Sequence, residues 1–190
     1  MFSIILIRFL DIILSLFFLI ILFPLIILIS IFILIIDGMP IFYLSKRVGK
    51  KGLLFIFFKF RTMKIKTHTN QNDEITILGK YLRRTSLDEL PQFFNVLKND
   101  MSIVGPRPLP LDIEKQIPKD KLIIRRSIKP GITGYSQVLY NRKKRNWEEK
   151  IKDDISLINN FSVIDYLIII LRTIPVLIKR FKFNLKGDTL

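Results

Sequence analysis

The chain has 190 residues, 31 Lys and Arg against 16 Asp and Glu, a formal charge of +15, one histidine and no cysteine. The length suits a single domain, and the absence of cysteine excludes disulfides, thiolate metal sites and cysteine nucleophiles. The first 37 residues hold one base, Arg8, and two acids, Asp11 and Asp37, so the whole basic excess lies beyond them. That asymmetry points to a polyanionic partner: a phospholipid surface, a nucleic acid or a phosphorylated substrate.

Residues 2–36 are almost entirely apolar apart from Arg8 and Asp11. A spanning helix needs about 20 such residues, so the arm is read as membrane-inserted. It is too long for the apolar part of a cleaved signal peptide, and no small-residue cleavage pattern follows it. Pro24 sits near its middle, and proline removes a helical hydrogen bond and clashes with the preceding turn. Two geometries are open: one long, tilted, kinked helix that crosses the bilayer, or a helix that bends at Phe23–Pro24 and returns to its own side. The bend frees backbone groups that need partners in hydrocarbon, and the nearest hydroxyls, Ser15 and Ser30, lie several residues away.

Asp37-Gly38 followed by Met39-Pro40 punctuates the chain, and a second region, 38–190, begins there. Two aromatic and β-branched runs around Gly49 to Gly52 predict a β-hairpin. Residues 66–76, which include the lone histidine, His68, read as a polar loop. Leu87, Leu90, Phe94 and Leu97 recur at helical spacing between Leu78 and Lys98, and Ser86 with Glu89 fits an S-x-x-E capping box. Pro91 would forfeit a hydrogen bond early in that helix, which predicts an irregular first turn or a start nearer Pro91. The stretch VGPRPLP predicts rigid extended backbone around Arg107, and KPGITGYSQV a turn-rich loop. Residues 141–154 mix charges as a surface helix does. The last apolar run, Val163 to Leu171, is too short to span and fits either an interfacial helix, with Arg172, Lys179 and Arg180 behind it, or a core helix. The fold class is therefore α+β and mostly helical.

The stretch TSLDELPQ sets two acids, Asp88 and Glu89, beside Arg83 and Arg84 in a basic chain. Adjacent surface carboxylates are commonly a cap plus a solvated charge. A helix start and flanking arginines would also hold Asp88 ionised. An ionised carboxylate can bind Mg²⁺ or act as a covalent nucleophile. Lys59 and Arg61 in KFRTM and Arg107 in GPRP could clamp phosphate oxygens. Nucleic-acid binding is disfavoured, because no binding motif or continuous basic helix is present. A non-enzymatic, membrane-anchored basic module that binds anionic lipid stays open, since juxtamembrane bases gain about 1 kcal/mol each at an anionic surface. So does a Mg²⁺-dependent diphosphatase acting on nucleotide-sugars.

Taken in order after an apolar arm, KFRTM, LRRTSLDELPQFFNVLKNDMSIVGPRPL and KPGITGYSQV closely resemble the bacterial sugar transferase family of small monotopic phosphoglycosyl transferases. The likeness runs from Arg8 to about Thr173, in what looks like the minimal form of the family. It implies transfer of a sugar-1-phosphate from a UDP-sugar to polyprenyl phosphate, usually undecaprenyl phosphate, with release of UMP and use of Mg²⁺. It further implies a ping-pong route through a covalent aspartyl phosphosugar, with Asp88 as the nucleophile. Glu89 is its dyad partner, and the two are the expected metal ligands. Lys59, Arg61, Arg83, Arg107, Gln137 and Arg142 are then the expected phosphate- and substrate-binding residues. The resemblance implies a re-entrant helix over 1–37, broken at Pro24, and a catalytic domain over 38–190 with interfacial helices. It places that domain on the cytoplasmic face of the bacterial inner membrane, against membrane phospholipids. The sequence departs from the family at Phe23, where a serine precedes the proline. It departs also at Asn141, where an arginine is expected one place before Arg142, and at Leu157, where a tyrosine stands between Asp154 and the Asn160-x-Ser162 end of that pattern.

Overall fold

The computed structural model describes residues 2–65, 74–138, 147–159 and 161–185. His68, Asn141, Arg142 and Asn160 lie outside the described residues. Helix α1, Phe2–Phe32, carries Pro24 inside it and ends in a wider π-turn, Ile33–Asp37. The break expected at Pro24 is not a break in the helix. Proline deletes one ladder bond, and in an apolar arm every further unmade bond would expose a backbone group with no partner, so the helix resumes at once. Gly38, at φ +73°, then ends it in a conformation that favours glycine.

The hairpin predicted around Gly49–Gly52 is present. Strand β1, Phe42–Val48, pairs antiparallel with β2, Leu54–Phe60, in the register Phe42↔Phe60 to Val48↔Leu54. Then come α2, Ile77–Thr85, a 3₁₀ turn at Leu87–Glu89, and α3, Gln92–Leu97. The helical pattern read across Leu78–Lys98 is thus two helices with a turn between them. Strands β3, Ser102–Val104, and β4, Gly131–Thr133, pair in parallel around two short helices, α4, Leu111–Glu114, and α5, Lys119–Arg125. The one-turn helix α6, Tyr135–Val138, then α7, Trp147–Asn159, and α8, Val163–Leu185, complete the chain. The α+β, mostly helical class is observed.

The capping box at Ser86 is not. Ser86 is the left-handed residue that closes α2, at φ +62°, and its side chain makes no cap bond to the following turn. A true reciprocal cap sits at the start of α8, where the Ser162 hydroxyl accepts from the Asp165 amide at 3.2 Å and the Asp165 carboxylate accepts from the Ser162 amide at 3.0 Å.

Two apolar clusters hold the elements together. One joins Phe55 and Phe57 of the hairpin to Val96, Ile103, Leu157, Tyr166 and Ile169. The other joins Leu19, Ile26, Ile29 and Ile33 of α1 to Phe60 and Leu82. Polar bonds fix α1 at both ends of its length. Near its start, Arg8 donates to the carbonyls of Val96 (2.7 Å) and Leu97 (3.1 Å) at the end of α3. Buried Asp11 accepts from Ser102 Oγ, the Ile103 amide and the Tyr166 hydroxyl. At the far end, Arg61 donates to the carbonyls of Asp37, Gly38 and Met39 at 2.5–2.8 Å.

Most of the remaining α1 surface is exposed Ile, Leu and Phe, and α1 with its π-turn is long and apolar enough to cross a bilayer. Helix α8 runs well past the apolar stretch expected from sequence. It buries Tyr166 and Ile169 while exposing Ile164, Leu171, Ile174 and Phe181, so it is a core helix on one side and an apolar outer surface on the other.

Candidate active site

The acid pair sits where α2 ends abruptly. Ser86 turns the chain into the left-handed region, the 3₁₀ turn Leu87–Glu89 follows, and Pro91 restarts a helix as the N-cap of α3. The turn is anchored on the hydrophobic side by Leu87 and Leu90, which pack on the cluster around Ile26 and Phe60. Asp88 is thereby turned inward, 4% exposed, rather than standing on a solvated helix face.

Its partner comes from the hairpin. Asn95 of α3 accepts from the Phe58 amide (3.0 Å) and donates to the Ile56 carbonyl (2.6 Å), imitating a neighbouring strand and locking β2 against α3. That register brings Lys59 Nζ to 3.3 Å from Asp88 Oδ2. Glu89 instead pairs with Arg107, Oε1 to Nη2, at 2.6 Å. Arg107 reaches this position because the GPRP segment crosses β4 at backbone contact. A Cβ on Gly105 would lie 2.3 Å from the Lys129 carbonyl oxygen, and one on Gly131 would lie 2.1 Å from the Gly105 amide nitrogen, so only glycine fits on either side.

Asp88 and Glu89 open onto a cavity of about 670 Å³. Of the residues proposed from sequence, Asp88, Glu89, Lys59, Arg83, Arg107 and Gln137 all line it. Arg83 reaches the rim while its Nε donates to Thr62 Oγ1 at 2.7 Å, and it makes no ion pair with Asp88 among the described residues. The cationic neighbour of the aspartate is therefore Lys59 rather than the flanking arginines.

Arg61 is not in the cavity. It is buried, and its guanidinium is spent on the three carbonyls where α1 ends, a helix terminus whose last carbonyls otherwise lack donors. The strand ends at Phe60, so the residue two past Lys59 no longer follows the strand's alternation and turns toward the membrane arm instead.

Burial and the neighbouring charge of Glu89 push the Asp88 carboxyl up from its ordinary range, and Lys59 and Arg107 oppose that only in part. The direction is opposite to the expectation of an aspartate held fully ionised by a helix start and by arginines. Desolvation outweighs the cations here, because the aspartate is buried and Arg107 is already paired with Glu89.

Several residues in the cavity gave no signal in the sequence. Arg47 of β1 stacks its guanidinium 5.4 Å from the centre of the Phe57 ring, and Lys150 of α7 also lines the cavity. Arg125 is buried between Glu114 (3.5 Å) and Asp154 (3.3 Å) and donates to the backbone carbonyl of Arg107, which ties the GPRP segment to α5 and α7. Burial pushes the Asp154 carboxyl up to about 6 against the pull of Arg125 and Ser136. In so basic a chain, an arginine inside IIRRS looks like any surface charge. Only Asp154, as part of the family pattern, was marked beforehand. Chemically, the cavity is a largely cationic vessel with two buried aspartates, Asp88 beside Lys59 and Asp154 beside Arg125, suited to an anionic diphosphate.

Residues 2–180 match the bacterial sugar transferase family. The chain is 38% identical over 161 residues to "Galactosyl transferase CpsE" of Streptococcus agalactiae serotype III, covering 75% of this chain and 35% of that protein. It is 39% identical over 153 residues to "UDP-glucose:undecaprenyl-phosphate glucose-1-phosphate transferase" of Xanthomonas campestris pv. campestris, covering 73% of this chain and 32% of that one. "Exopolysaccharide production protein ExoY" of Sinorhizobium fredii matches over 190 residues at 32% identity, covering 88% and 83%. The chain thus spans about a third of the length of the first two relatives and most of the third. With its family signature and cationic cavity in the same 179-residue match, the chain belongs to the bacterial sugar transferase family.

Proposed function

We propose that this chain is a phosphoglycosyl transferase that moves a sugar-1-phosphate from a UDP-sugar to polyprenyl phosphate, releasing UMP, as an early membrane step of glycan synthesis. The observation that carries this reading is buried Asp88 with Lys59 at 3.3 Å, lining a cavity rich in arginine and lysine. The printed name of the Xanthomonas relative supports the substrate classes. The relatives name different sugars, galactose and glucose, so the sugar is not carried over.

In this reading an Asp88 carboxylate oxygen attacks the sugar-side phosphorus of the UDP-sugar. The bond from that phosphorus to the bridging oxygen breaks, and UMP leaves with the electron pair. The acyl phosphate keeps the group activated. A phosphate oxygen of the polyprenyl acceptor then attacks the same phosphorus, and the Asp88 carboxylate is released. Lys59 holds Asp88 in place and favours its charged form. Arg107 neutralises Glu89 and offers its remaining donors to a diphosphate oxygen, and Arg47, Arg83 and Lys150 add positive charge around it. Arg142 lies outside the described residues and keeps its expected role as a proposal only.

Mg²⁺ fits the donor set. Asp88 and Glu89 are close enough for the charge of one to raise the other's pKa, and among the described residues no group of three or more candidate ligands exists. Mg²⁺ is commonly held by one or two carboxylates, with water and substrate phosphate completing the shell. When bound, it supplies positive charge that offsets repulsion between an anionic nucleophile and an anionic diphosphate.

A same-side placement of both ends of the arm is part of the same proposal, with the helix unbroken at Pro24. Arg8 and Asp11 near one end of α1, and the carbonyls of residues 37–39 at the other, are all bonded to the same globular body. A helix that carried its amino end across the bilayer would leave Arg8 and Asp11 without these partners. The basic residues that follow the arm support a cytoplasmic position for this body, and the family supports the bacterial inner membrane as its site.

The test is direct. Purified protein is incubated with a panel of UDP-sugars, Mg²⁺ and undecaprenyl phosphate, and UMP and lipid-linked sugar are followed together. Both products are expected, and Asp88→Asn should lower turnover by about 10³-fold or more. UMP with free sugar phosphate would instead mark a hydrolase. Neither product across the panel would mark a lipid-binding module.

A further inference from the structure

The wall of the cationic cavity that carries Ser86, Glu89, Arg107 and Gln137 has a second side. Behind it runs a separate groove of about 260 Å³ between α1 and α8. Its lining is apolar over most of its length: Phe18 and Leu22 from α1, Phe93 from α3, Ile170 and Val176 from α8. Phe18 stacks on Phe93 with ring centres 5.4 Å apart and forms one end of the floor. Arg180, like Ser86, Glu89, Arg107 and Gln137, lines both this groove and the cationic cavity, so it stands at their shared boundary. It donates to the Ser86 hydroxyl, a neutral partner, and among the described residues no carboxylate pairs with it. Glu89, the acid at the same boundary, is already matched by Arg107.

We propose that this groove receives the first isoprenoid units of the lipid acceptor and that Arg180 holds the acceptor's phosphate. The proposal rests on the transferase reading and deepens it. A groove with an apolar body and, at its polar end, a cation bonded among the described residues to a neutral hydroxyl complements an amphiphile that carries an anionic head and a hydrocarbon tail. It shares Ser86, Glu89, Arg107, Gln137 and Arg180 with the cavity that Asp88 lines, which sets a lipid phosphate held there beside the cavity in which an aspartyl phosphosugar would form. The rest of the chain continues into the bilayer along the exposed apolar faces of α1 and α8, which display Ile20, Ile21, Phe23, Leu171 and Ile174. The donor, all polar, enters the cationic cavity. Two entrances to one nucleophile let UMP leave and the acceptor arrive by different paths.

Two variants of the full chain separate the halves of the reaction. Val176→Phe fills the groove without touching the cavity around Lys59 and Asp88, and Arg180→Gln removes the cation at the boundary. With UDP-sugar and Mg²⁺ alone, a stoichiometric burst of UMP reports the first half-reaction and also reports folding. With undecaprenyl phosphate added, steady-state turnover reports the second. For Val176→Phe the burst is expected to remain within about twofold of wild type while acceptor KM rises at least tenfold. For Arg180→Gln acceptor KM is expected to rise at least tenfold more than donor KM, with partial recovery in Arg180→Lys. Unchanged acceptor KM in both variants, with altered thermal stability alone, would show that the groove serves packing rather than acceptor binding and would overturn the proposal. A rise confined to donor KM would assign Arg180 to the donor instead, and equal rises in both would remove its assignment to the acceptor. A wild-type enzyme without a UMP burst, yet still forming lipid-linked product, would sink the covalent route. The effect of Val176→Phe on acceptor KM would still judge the groove.

Discussion

Asp88 has to be ionised to attack phosphorus, and its surroundings work against that. Burial and Glu89 raise its pKa, and Lys59 lowers it. Activity limited by this group rises with pH through the raised pKa and levels off above it. Lys59→Gln removes a stabiliser of the charged form, so the acid limb of kcat/KM should move to higher pH. Glu89→Gln removes a destabilising neighbour, so the limb should move to lower pH even where the maximal rate falls. A limb that moves the same way in both variants, or in neither, would show that another group controls it. Asp154 offers a stability counterpart. Its folded pKa of about 6 lies above the ordinary 3.8, so the folded chain holds that proton more tightly than the unfolded one. The resulting stabilisation is full below about pH 4 and is lost as pH rises through 6, by about 3 kcal/mol in all. Thermal unfolding of Asp154→Asn and wild type at pH 5 and 7 should therefore show the variant gaining on wild type as pH rises.

Between elements, the junction of α1 with β2 separates two roles for the same arginine. As a phosphate ligand, Arg61 would matter to turnover. As the donor to three carbonyls at the end of α1, it matters to folding. Removing a buried charged donor leaves those carbonyls unpaired, and a loss of roughly 3 kcal/mol is expected for Arg61→Met. Thermal unfolding in detergent checks this. The folded fraction should retain a near-normal UMP burst per molecule, whereas a stable variant with no burst would return Arg61 to the phosphate site. The turn between α2 and α3 makes a related point about pattern reading. Leu87, Leu90 and Leu97 do face the core, as their spacing required, but Phe94 of the same set is exposed and Phe93 packs inward in its place. Spacing alone does not reveal that Ser86 lies in the left-handed region and that Pro91 begins a new helix, and that break is what turns Asp88 inward.

Across the whole molecule, the decisive relation is between the membrane arm and the domain it carries. Because both ends of α1 bond to one body, single cysteines placed at Ser3 and Ser45 should be labelled by a membrane-impermeant reagent from the same side. Labelling from opposite sides would remove the same-side proposal.

The sequence by itself determined the apolar arm, the hairpin, the mostly helical class and the acid pair with its family signature, because composition, period-two patterning and turn residues act over a few neighbours. The tertiary structure alone decided which cations meet Asp88 and Glu89, that Arg61 serves the arm instead of the cavity, and that α1 and α8 frame an apolar groove. Those outcomes depend on contacts between residues far apart in the chain. In a protein with 31 basic side chains, no local pattern distinguishes the few that packing draws into the site from those left in solvent.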